Sequence, residues 1–583
     1  MLTIPTSIVP GSFRQKLKAV FDIGFEAIDL RLSDVAQFDG SPKELGELVK
    51  EVGLKIASLG PLAVGTTAKQ LANRVDLARE LSAELIILDV ENSVQLNMEF
   101  GKFSDVRIAL RPKRELETEV VAHVKNEGLQ NLGIALNSFE VLGDGSRPAR
   151  LREVDGKSVF HVALWDGPVQ PMLPGQGTLN LGGLARVMAR TGFDGPWSVG
   201  ASPLGSKTVL NAYRSLVTTL SDAAQTEPKL RQLTPNIPQK VPAKGIEFIE
   251  FALCSETAAT LESTLAAMSF RRERKHLSKN VTLWRQGAVN IVINIENSGH
   301  AGRAFQEHGP CVCDMGLRVQ NAAETVARAR ALGTEDFSQS VGLGELDIPA
   351  IRGVGGSIIH FIDEESDLHR VWDIEFEPVT RTSATPPASI RRIDHVAQTM
   401  PYKDMQNWLL FYLTTFEMSK SPIVNVADPS GIVQSQALES PEGEVRLNLN
   451  GAADANTLAG TFLSGRTGAG VQHIAFQTDD IFETSELLSA SGFPRLSIPQ
   501  NYYGEIQSEF SLEDEIVAKL KAENILYDQD ETGCYFQLYG QSIFDGFFFE
   551  IVQRKDGYAG FGAPNAPIRL AAQAQDIQRK GAT

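Results

Sequence analysis

The sequence predicts an α/β barrel followed by an α+β half made of two copies of one unit. Three observations carry that reading. Over residues 1–220, eight short apolar runs alternate with helical patterns, as in a (β/α)8 barrel. Beyond residue 244, one order of strand, helix and further strands occurs twice, which reads as an internal duplication. Within the second copy, three strands carry two histidines and one carboxylate at near-equal spacing.

The barrel strands are expected at Leu2–Ile8, Ala27–Leu32, Lys55–Leu59, Leu85–Asp89, Val106–Leu110, Gly133–Asn137, Val159–Leu164 and Trp197–Gly200. Helical stretches such as Phe13–Ile23, Pro42–Val52 and Ala68–Leu81 lie between them. The interval from Glu91 to Asp105 is short for a full helix, so one is expected to be reduced there. Chemistry in such barrels sits at the C-terminal strand ends. Those ends carry Asp29, Asp89, Leu110, Asn137, Trp165 and Gly200, with no cluster of His and carboxylates. Glu140, in a loop, reads as solvated.

The barrel is assigned to residues 1–221 and a linker to 222–244, which has several prolines and few large apolar residues. The first repeat unit is assigned to 245–385 and the second to 386–583. Gly245–Ala252 opens the first unit as Ile390–Ala397 opens the second, and Thr380–Pro387 reads as the joint. Cys311–Gly316 corresponds to Gly470–Ala475, and Gly356–Phe361 to the strand around Glu550. The first unit is therefore expected to hold Phe251, Asp314 and His360 where the second holds His395, His473 and Glu550.

The strand Phe547–Arg554 is an aromatic, apolar run with Glu550 in its middle. A buried carboxylate without a partner costs several kcal/mol, so Glu550 requires a cation or a proton. Alternation puts Ile393, His395 and Ala397 on one face, Val471, His473 and Ala475 on one face, and Phe548, Glu550 and Val552 on one face. The gaps are 78 and 77 residues. One His in a strand is ordinarily a hydrogen-bonded core residue. Two His and one carboxylate on evenly spaced strands match the facial triad of non-heme Fe(II) sites.

The 583 residues are 42% hydrophobic and 22% charged, with a net charge of −17. That is globular material, and the charge argues against nucleic-acid or anionic-membrane surfaces. No signal peptide or membrane span is visible. Four cysteines, Cys254, Cys311, Cys313 and Cys534, are too few for a disulfide framework and fit a reducing cytoplasm. Homo-oligomeric assembly is left open.

Residues 245–575 resemble the vicinal-oxygen-chelate fold as arranged in 4-hydroxyphenylpyruvate dioxygenases. The motifs are Ile393-Asp394-His395, Gly468–Ala475, Asp479–Phe482, Asn501-Tyr502-Tyr503, Phe549–Arg554, Gly560-Phe561-Gly562 and Asn565. The resemblance implies Fe(II) on His395, His473 and Glu550, with Mg, Mn, Co or Zn as stand-ins. Asp394 and Gln472 would orient the ligands. It further implies a pocket formed by Ser435, Asn450, Gln472, Gln537, Tyr539, Phe561, Asn565 and Arg569 for an aromatic or oxo acid and dioxygen. Leu458, Ala566 and Leu570 depart from that family, and Arg446 and Arg569 are expected near the mouth, favouring a polar, carboxylate-bearing ligand.

The barrel resembles sugar phosphate isomerase-like proteins, in particular bacterial 3-dehydroshikimate dehydratases, through Phe38–Pro42, Asn137-Ser138-Phe139, Leu164–Pro168 and Gly192–Pro196. The order of the two halves looks like the fused members of that group. The family's metal ligands Glu, Asp, Gln and Glu fall on Ile108, Asn137, Ala163 and Gly200, with Glu140 where a His follows the Asp. The resemblance thus implies a barrel without its metal site. The leading expectation is an Fe(II) dioxygenase with a degenerate barrel. The alternatives are a 3-dehydroshikimate dehydratase, a lyase forming protocatechuate, with an accessory second half, and a non-catalytic metabolite-binding protein.

Overall fold

The structure, a computed structural model, describes residues 1–62, 66–167, 172–200, 208–232, 234–379 and 389–581. The chain forms two compact units, Met1–Gln239 with Ala331–Gly333, and the remainder from Lys240.

In the first unit, eight parallel strands close into a barrel in chain order. They are β1 (Leu2–Pro5), β2 (Ala27–Leu30), β3 (Lys55–Leu62), β4 (Leu85–Val90), β5 (Arg107–Pro112), β6 (Leu132–Asn137), β7 (Val159–Leu164) and β8 (Trp197–Val199). Local chemistry sets the helix limits. Ser41 and Glu44 form a capping box before Pro42–Glu51, satisfying N–H groups the helix cannot pair itself. Gly24, at φ 107°, ends Phe13–Ile23 in the left-handed region that glycine enters without Cβ strain. Between β4 and β5 there are only 3-10 turns, Ser93–Asn97 and Phe100–Phe103, as the short interval predicts.

The expected linker over 222–244 is partly ordered structure. The helix Thr208–Ala224 runs into it, Pro228–Gln232 is a 3-10 turn with Leu230 buried, and the next strand starts at Ala243. The joint expected over Thr380–Pro387 lies outside the described residues.

The second unit holds two sheets of nine strands. The first contains β9 (Ala243–Ala252), β10 (Arg271–His276), β11 (Val281–Gln286), β12 (Val289–Asn294), β13 (Cys311–Val319), β14 (Asp336–Phe337), β15 (Ala350–Arg352), β16 (Ile358–Ile362) and β17 (Phe376–Pro378). The second contains β18 (Ile390–Pro401), β19 (Ser419–Lys420), β20 (Val424–Asp428), β21 (Gly431–Glu439), β22 (Arg446–Ala452), β23 (Gly470–Thr478), β24 (Leu526–Gln529), β25 (Cys534–Tyr539) and β26 (Phe548–Lys555). The order β16-β13-β9-β12-β11 in one matches β26-β23-β18-β22-β21 in the other, with the same pattern of parallel and antiparallel pairs. The duplication read from the sequence is therefore real.

Register fixes the equivalences. His473 lies opposite Phe548 as Asp314 lies opposite Ile358, and Ala475 opposite Glu550 as Gly316 opposite His360. His395 lies opposite Ala475, whereas Phe248 lies opposite Gly316. The counterpart of His395 is thus Phe248 and not Phe251. Phe251 is fully buried and meets Phe547 edge-on, with centroids 5.3 Å apart. It belongs to the core shared by the two modules.

Candidate functional site

The second module brings His395, His473 and Glu550 together from three adjacent strands, β18, β23 and β26. The two His Nε2 atoms are 3.2 Å apart, and Glu550 Oε2 is 3.5 Å from His395 Nε2 and 3.6 Å from His473 Nε2. All three residues are buried. Among the described residues this is the one group of three or more His, Cys, Asp or Glu with converging ligand atoms. Two imidazole nitrogens and a carboxylate oxygen converging on one point are a donor set that fits a divalent ion.

The surroundings orient the donors. A β-bulge in β18 between Ile393 and His395 lets Asp394 reach back, and its Oδ1 lies 2.9 Å from His395 Nδ1. That contact fixes the ring so that Nε2 faces the site. Burial disfavours the His395 imidazolium, but Asp394 and Glu550 outweigh it and raise its pKa to about 9. Burial, then His395 and Arg569, push His473 well below its ordinary value. The two rings therefore differ in proton affinity. Gln537 Nε2 donates to Glu550 Oε1 at 2.9 Å and to Tyr539 OH at 2.6 Å. Gln472 instead accepts from Thr399 Oγ1 at 2.6 Å. His473 stacks on Phe548, centroids 4.7 Å apart.

A cavity of about 510 Å3 opens from the three donors. Ser435, Asn450, Gln472, Gln537, Tyr539, Phe561 and Arg569 line it, as do Ala566 and Leu570. Asn565 stands behind the wall, where its Nδ2 donates to Gln537 Oε1 at 2.9 Å. Arg569 lies over the Phe548 ring at 5.2 Å. Arg446 is not at the mouth: its Nε donates to Glu439 Oε1 at 2.7 Å and its Nη1 comes within 3.6 Å of Asp394 Oδ2.

In the barrel, Asp29 is turned inward among Thr3, Ser58, Ser198 and His161, with Ser58 Oγ at 2.6 Å and His161 Nε2 at 3.1 Å. Burial opposes its charge, yet His161 and the hydroxyls hold its carboxyl well below the usual range. The same inward parity puts Arg31 at the C-terminal mouth. Across from it, Arg111 at the end of β5 donates from Nε and Nη2 to Asp89, at 2.6 and 3.0 Å. Strands β2 and β5 are not neighbours in the barrel, so the charge effect of Arg111 on Arg31 runs across the mouth. Burial and then Arg111 lower the Arg31 pKa, and Arg31 Nε is buried without a hydrogen-bond partner.

The expected loss of the barrel's metal donors is partly re-registered by the structure. Ile108 is buried second in β5 and, by alternation with Arg111, faces away from the barrel axis. The inward residue at that strand end is Arg111, a cation in place of a ligand. Asn137 caps the helix Ser138–Leu142 by accepting from Phe139 N at 3.0 Å. At Gly200 a Cβ would lie 1.5 Å from Trp165 Nε1, so the indole occupies the room a longer side chain would need. Glu140 accepts from Arg114 N at 3.3 Å. These residues do not fit a four-donor metal site. Arg31 and Arg111 were missed as functional residues, although both end an apolar strand with Leu-Arg, at Leu30-Arg31 and Leu110-Arg111.

Comparison with known proteins matches residues 238–377 to the N-terminal domain family of hydroxyphenylpyruvate dioxygenase and residues 392–515 to the glyoxalase/bleomycin resistance protein/dioxygenase superfamily. A 3-dehydroshikimate dehydratase of Pseudomonas aeruginosa is 32% identical over 98% of this chain and 98% of its own length. The chain belongs to the family of 3-dehydroshikimate dehydratases. The Pseudomonas putida member is likewise 32% identical over 98% of both chains. A solved xylose isomerase-like TIM barrel/4-hydroxyphenylpyruvate dioxygenase fusion protein superposes with a TM-score of 0.86 at 29% identity, covering 98% of this chain and 99% of that one. By contrast, the 4-hydroxyphenylpyruvate dioxygenase of P. aeruginosa is 31% identical over 58% of this chain.

These findings overturn the leading expectation. The dehydratase relatives run end to end, while the dioxygenase likeness stops at the C-terminal half. The reading of a dioxygenase with a barrel unable to dehydrate does not stand for this dehydratase-family chain. Among the described residues, no helix is long and apolar enough to cross a membrane.

Proposed function

We propose that the chain is a lyase that removes water from a small, carboxylate-bearing cyclic oxo acid of the 3-dehydroshikimate class at the mouth of its barrel. The observation that carries this is the match to two 3-dehydroshikimate dehydratases over 98% of both chains. Eliminating water from a β-hydroxy ketone requires loss of the proton α to the carbonyl. Its electron pair moves onto the carbonyl oxygen as an enolate, then returns to form the C=C bond as the β-hydroxyl leaves; proton and hydroxyl together make one water, and a further shift of a ring CH2 proton to the ketone oxygen gives the aromatic dihydroxybenzoate. Developing enolate charge is the quantity to stabilise. Arg111 stands where the resemblance has a metal ligand, and Arg31 faces it with an unpartnered Nε. Two guanidiniums therefore supply fixed positive charge for the carboxylate and the enolate oxygen. Asp89 holds Arg111 in place through two bonds.

The second half of this proposal is that His395, His473 and Glu550 hold a divalent ion, Fe(II) by the character of the donors. Such an ion, when bound, supplies a Lewis acid that chelates neighbouring oxygens of a small acid. Gln537 and Tyr539 orient Glu550, Asp394 orients His395, and Arg569 presents positive charge to a ligand carboxylate.

The test is incubation of the full chain with 3-dehydroshikimate, following the aromatic product by its absorbance and by NMR. Conversion to a dihydroxybenzoate is the expected result. No product with or without added Fe(II) overturns the proposal.

A further inference from the structure

The first module has a cavity of its own, about 560 Å3, on the face of its sheet that corresponds to the metal-binding face of the second. Its floor carries Asp314 and His360, the register equivalents of His473 and Glu550, and next to them Glu250, directly opposite Asp314. Asp314 is 5% exposed. Its Oδ2 lies 2.6 Å from His360 Nδ1, whereas its Oδ1 is buried without any hydrogen-bond partner. Glu250 is held by Asn294 Nδ2 at 3.0 Å, a neutral donor that does not cancel its charge. Two carboxylates face the one imidazole of His360 on this floor, with His300 beside Asp314 and Lys279 and Arg303 in the cavity wall.

The walls supply rings. Phe248, the counterpart of His395, lies 6.2 Å from the His360 ring, and Phe337 lies 6.3 Å from it at 90°. Trp372 meets Phe248 edge-on at 5.7 Å. Carboxylates beside aromatic faces are the chemistry that binds organic cations. A buried carboxylate oxygen with no partner costs free energy that an N–H donor would recover.

We infer that the first module binds a small organic ammonium ion, held by Asp314 and Glu250 between the rings of Phe248, Phe337 and Trp372. Duplication would then have left two sites of different chemistry: a divalent-ion centre in one copy and an ammonium pocket in the other. Burial and Asp314 push Glu250 up to about 7, in line with two carboxylates sharing the floor. The inference uses no residue of the barrel or of the His395 site, so it stands or falls independently of the proposed lyase activity.

The experiment is isothermal titration of the full chain with benzylammonium at neutral pH, beside benzyl alcohol and benzoate, which keep the ring and change the charge. Benzylammonium is expected to bind with a Kd of about 1 mM or tighter, and the neutral and anionic probes on the order of tenfold more weakly or not at all. Asp314→Asn and Glu250→Gln are each expected to weaken benzylammonium on the order of tenfold, with circular dichroism confirming that each variant is folded. Glu550→Gln, in the other cavity, is expected to leave this binding unchanged. If benzylammonium gives no binding, if benzyl alcohol binds equally well, or if both folded variants bind as the wild type does, the inference is overturned. Should Asp314→Asn fail to fold, Glu250→Gln alone decides. Loss of binding in Glu550→Gln places the cation in the other cavity and likewise overturns it.

Discussion

Arg554 grips Asp394 with two bonds, Nε to Oδ2 at 2.8 Å and Nη2 to Oδ1 at 3.0 Å, and Asp394 in turn holds His395. Asp394 is 1% exposed, and Arg554 also lies 4.6 Å over the Tyr535 ring. Replacing Arg554 with Met keeps length and removes the charge, leaving the buried Asp394 carboxylate with His395 and the more distant Arg446, 3.6 Å away, as its partners. Breaking such a pair costs about 3–5 kcal/mol, to be read from urea unfolding. Because His395 also loses its fixed orientation, divalent-metal affinity should fall by roughly 10–100-fold, measured by competition with a chelator. Unchanged affinity in a destabilised variant would make the Arg554–Asp394 pair purely structural.

Glu550 is 2% exposed among Phe547, Phe548, Phe549 and Ile551. Metal binding to the folded state alone raises apparent stability by mass action, so the melting temperature of stripped protein should climb as Fe(II) or another divalent ion is added anaerobically. Glu550→Gln keeps the shape and removes the charge, and its melting temperature should barely respond. Glu140→Gln in the barrel, where the carboxylate contacts only the backbone N of Arg114 among the bonds described, should respond as the wild type does. A full metal response in Glu550→Gln would remove Glu550 from the ligand set.

The cluster of His395, His473 and Glu550 was legible because each of these residues interrupts an apolar strand, a pattern that survives errors of a residue or two in strand ends. The register of the first repeat was not. Gly245–Ala252 and Ile390–Ala397 both alternate, so they slide past each other in steps without a clash of pattern, and the bulges in β9 and β18 add residues that sequence spacing cannot show. Phe251 was therefore matched to His395 in place of Phe248. At β5 the apolar run ends at Leu110, but the strand continues to Pro112, which brings Arg111 to the mouth. The barrel was judged by the ligands it lacks. Its cations, Arg111 at the end of β5 and Arg31 at the end of β2, follow apolar runs and carry no motif that marks them.

Glu250 gives a pH signature. Its carboxyl is raised from an ordinary 4.5 to about 7 by burial and by Asp314. Below the unfolded value both states hold the proton and ionisation costs the fold nothing. As pH rises from about 4.5 to 7 the unfolded chain ionises first, so this residue's contribution turns unfavourable and stays so above 7. Glu250→Gln should flatten that part of the stability profile and raise stability at neutral pH. Urea midpoints across pH check it, and an unchanged slope would show that Glu250 is not the titrating group.

The sharpest test of the barrel concerns Arg111 and Arg31. Arg111 is tied to Asp89 by two bonds, and Arg31 Nε is buried without a partner. If the guanidiniums carry enolate charge, their loss should be felt in turnover. Removing one preorganised donor to such an oxyanion costs on the order of 10²–10³ in kcat, and Arg111→Gln is expected to fall in that range with 3-dehydroshikimate. Arg111→Lys retains the charge but loses the two-pronged grip on Asp89, so it should recover part of the rate. Arg31→Gln should act chiefly on KM if Arg31 holds the carboxylate, because uniform binding lowers KM without changing kcat. The control is Glu550→Gln, which should lower metal content and leave the barrel mouth unaltered, so that its turnover separates the effect of the ion from that of the guanidiniums. Wild-type rates in Arg111→Gln would remove the guanidinium from the reaction and leave the Arg111–Asp89 pair as a brace of the barrel mouth.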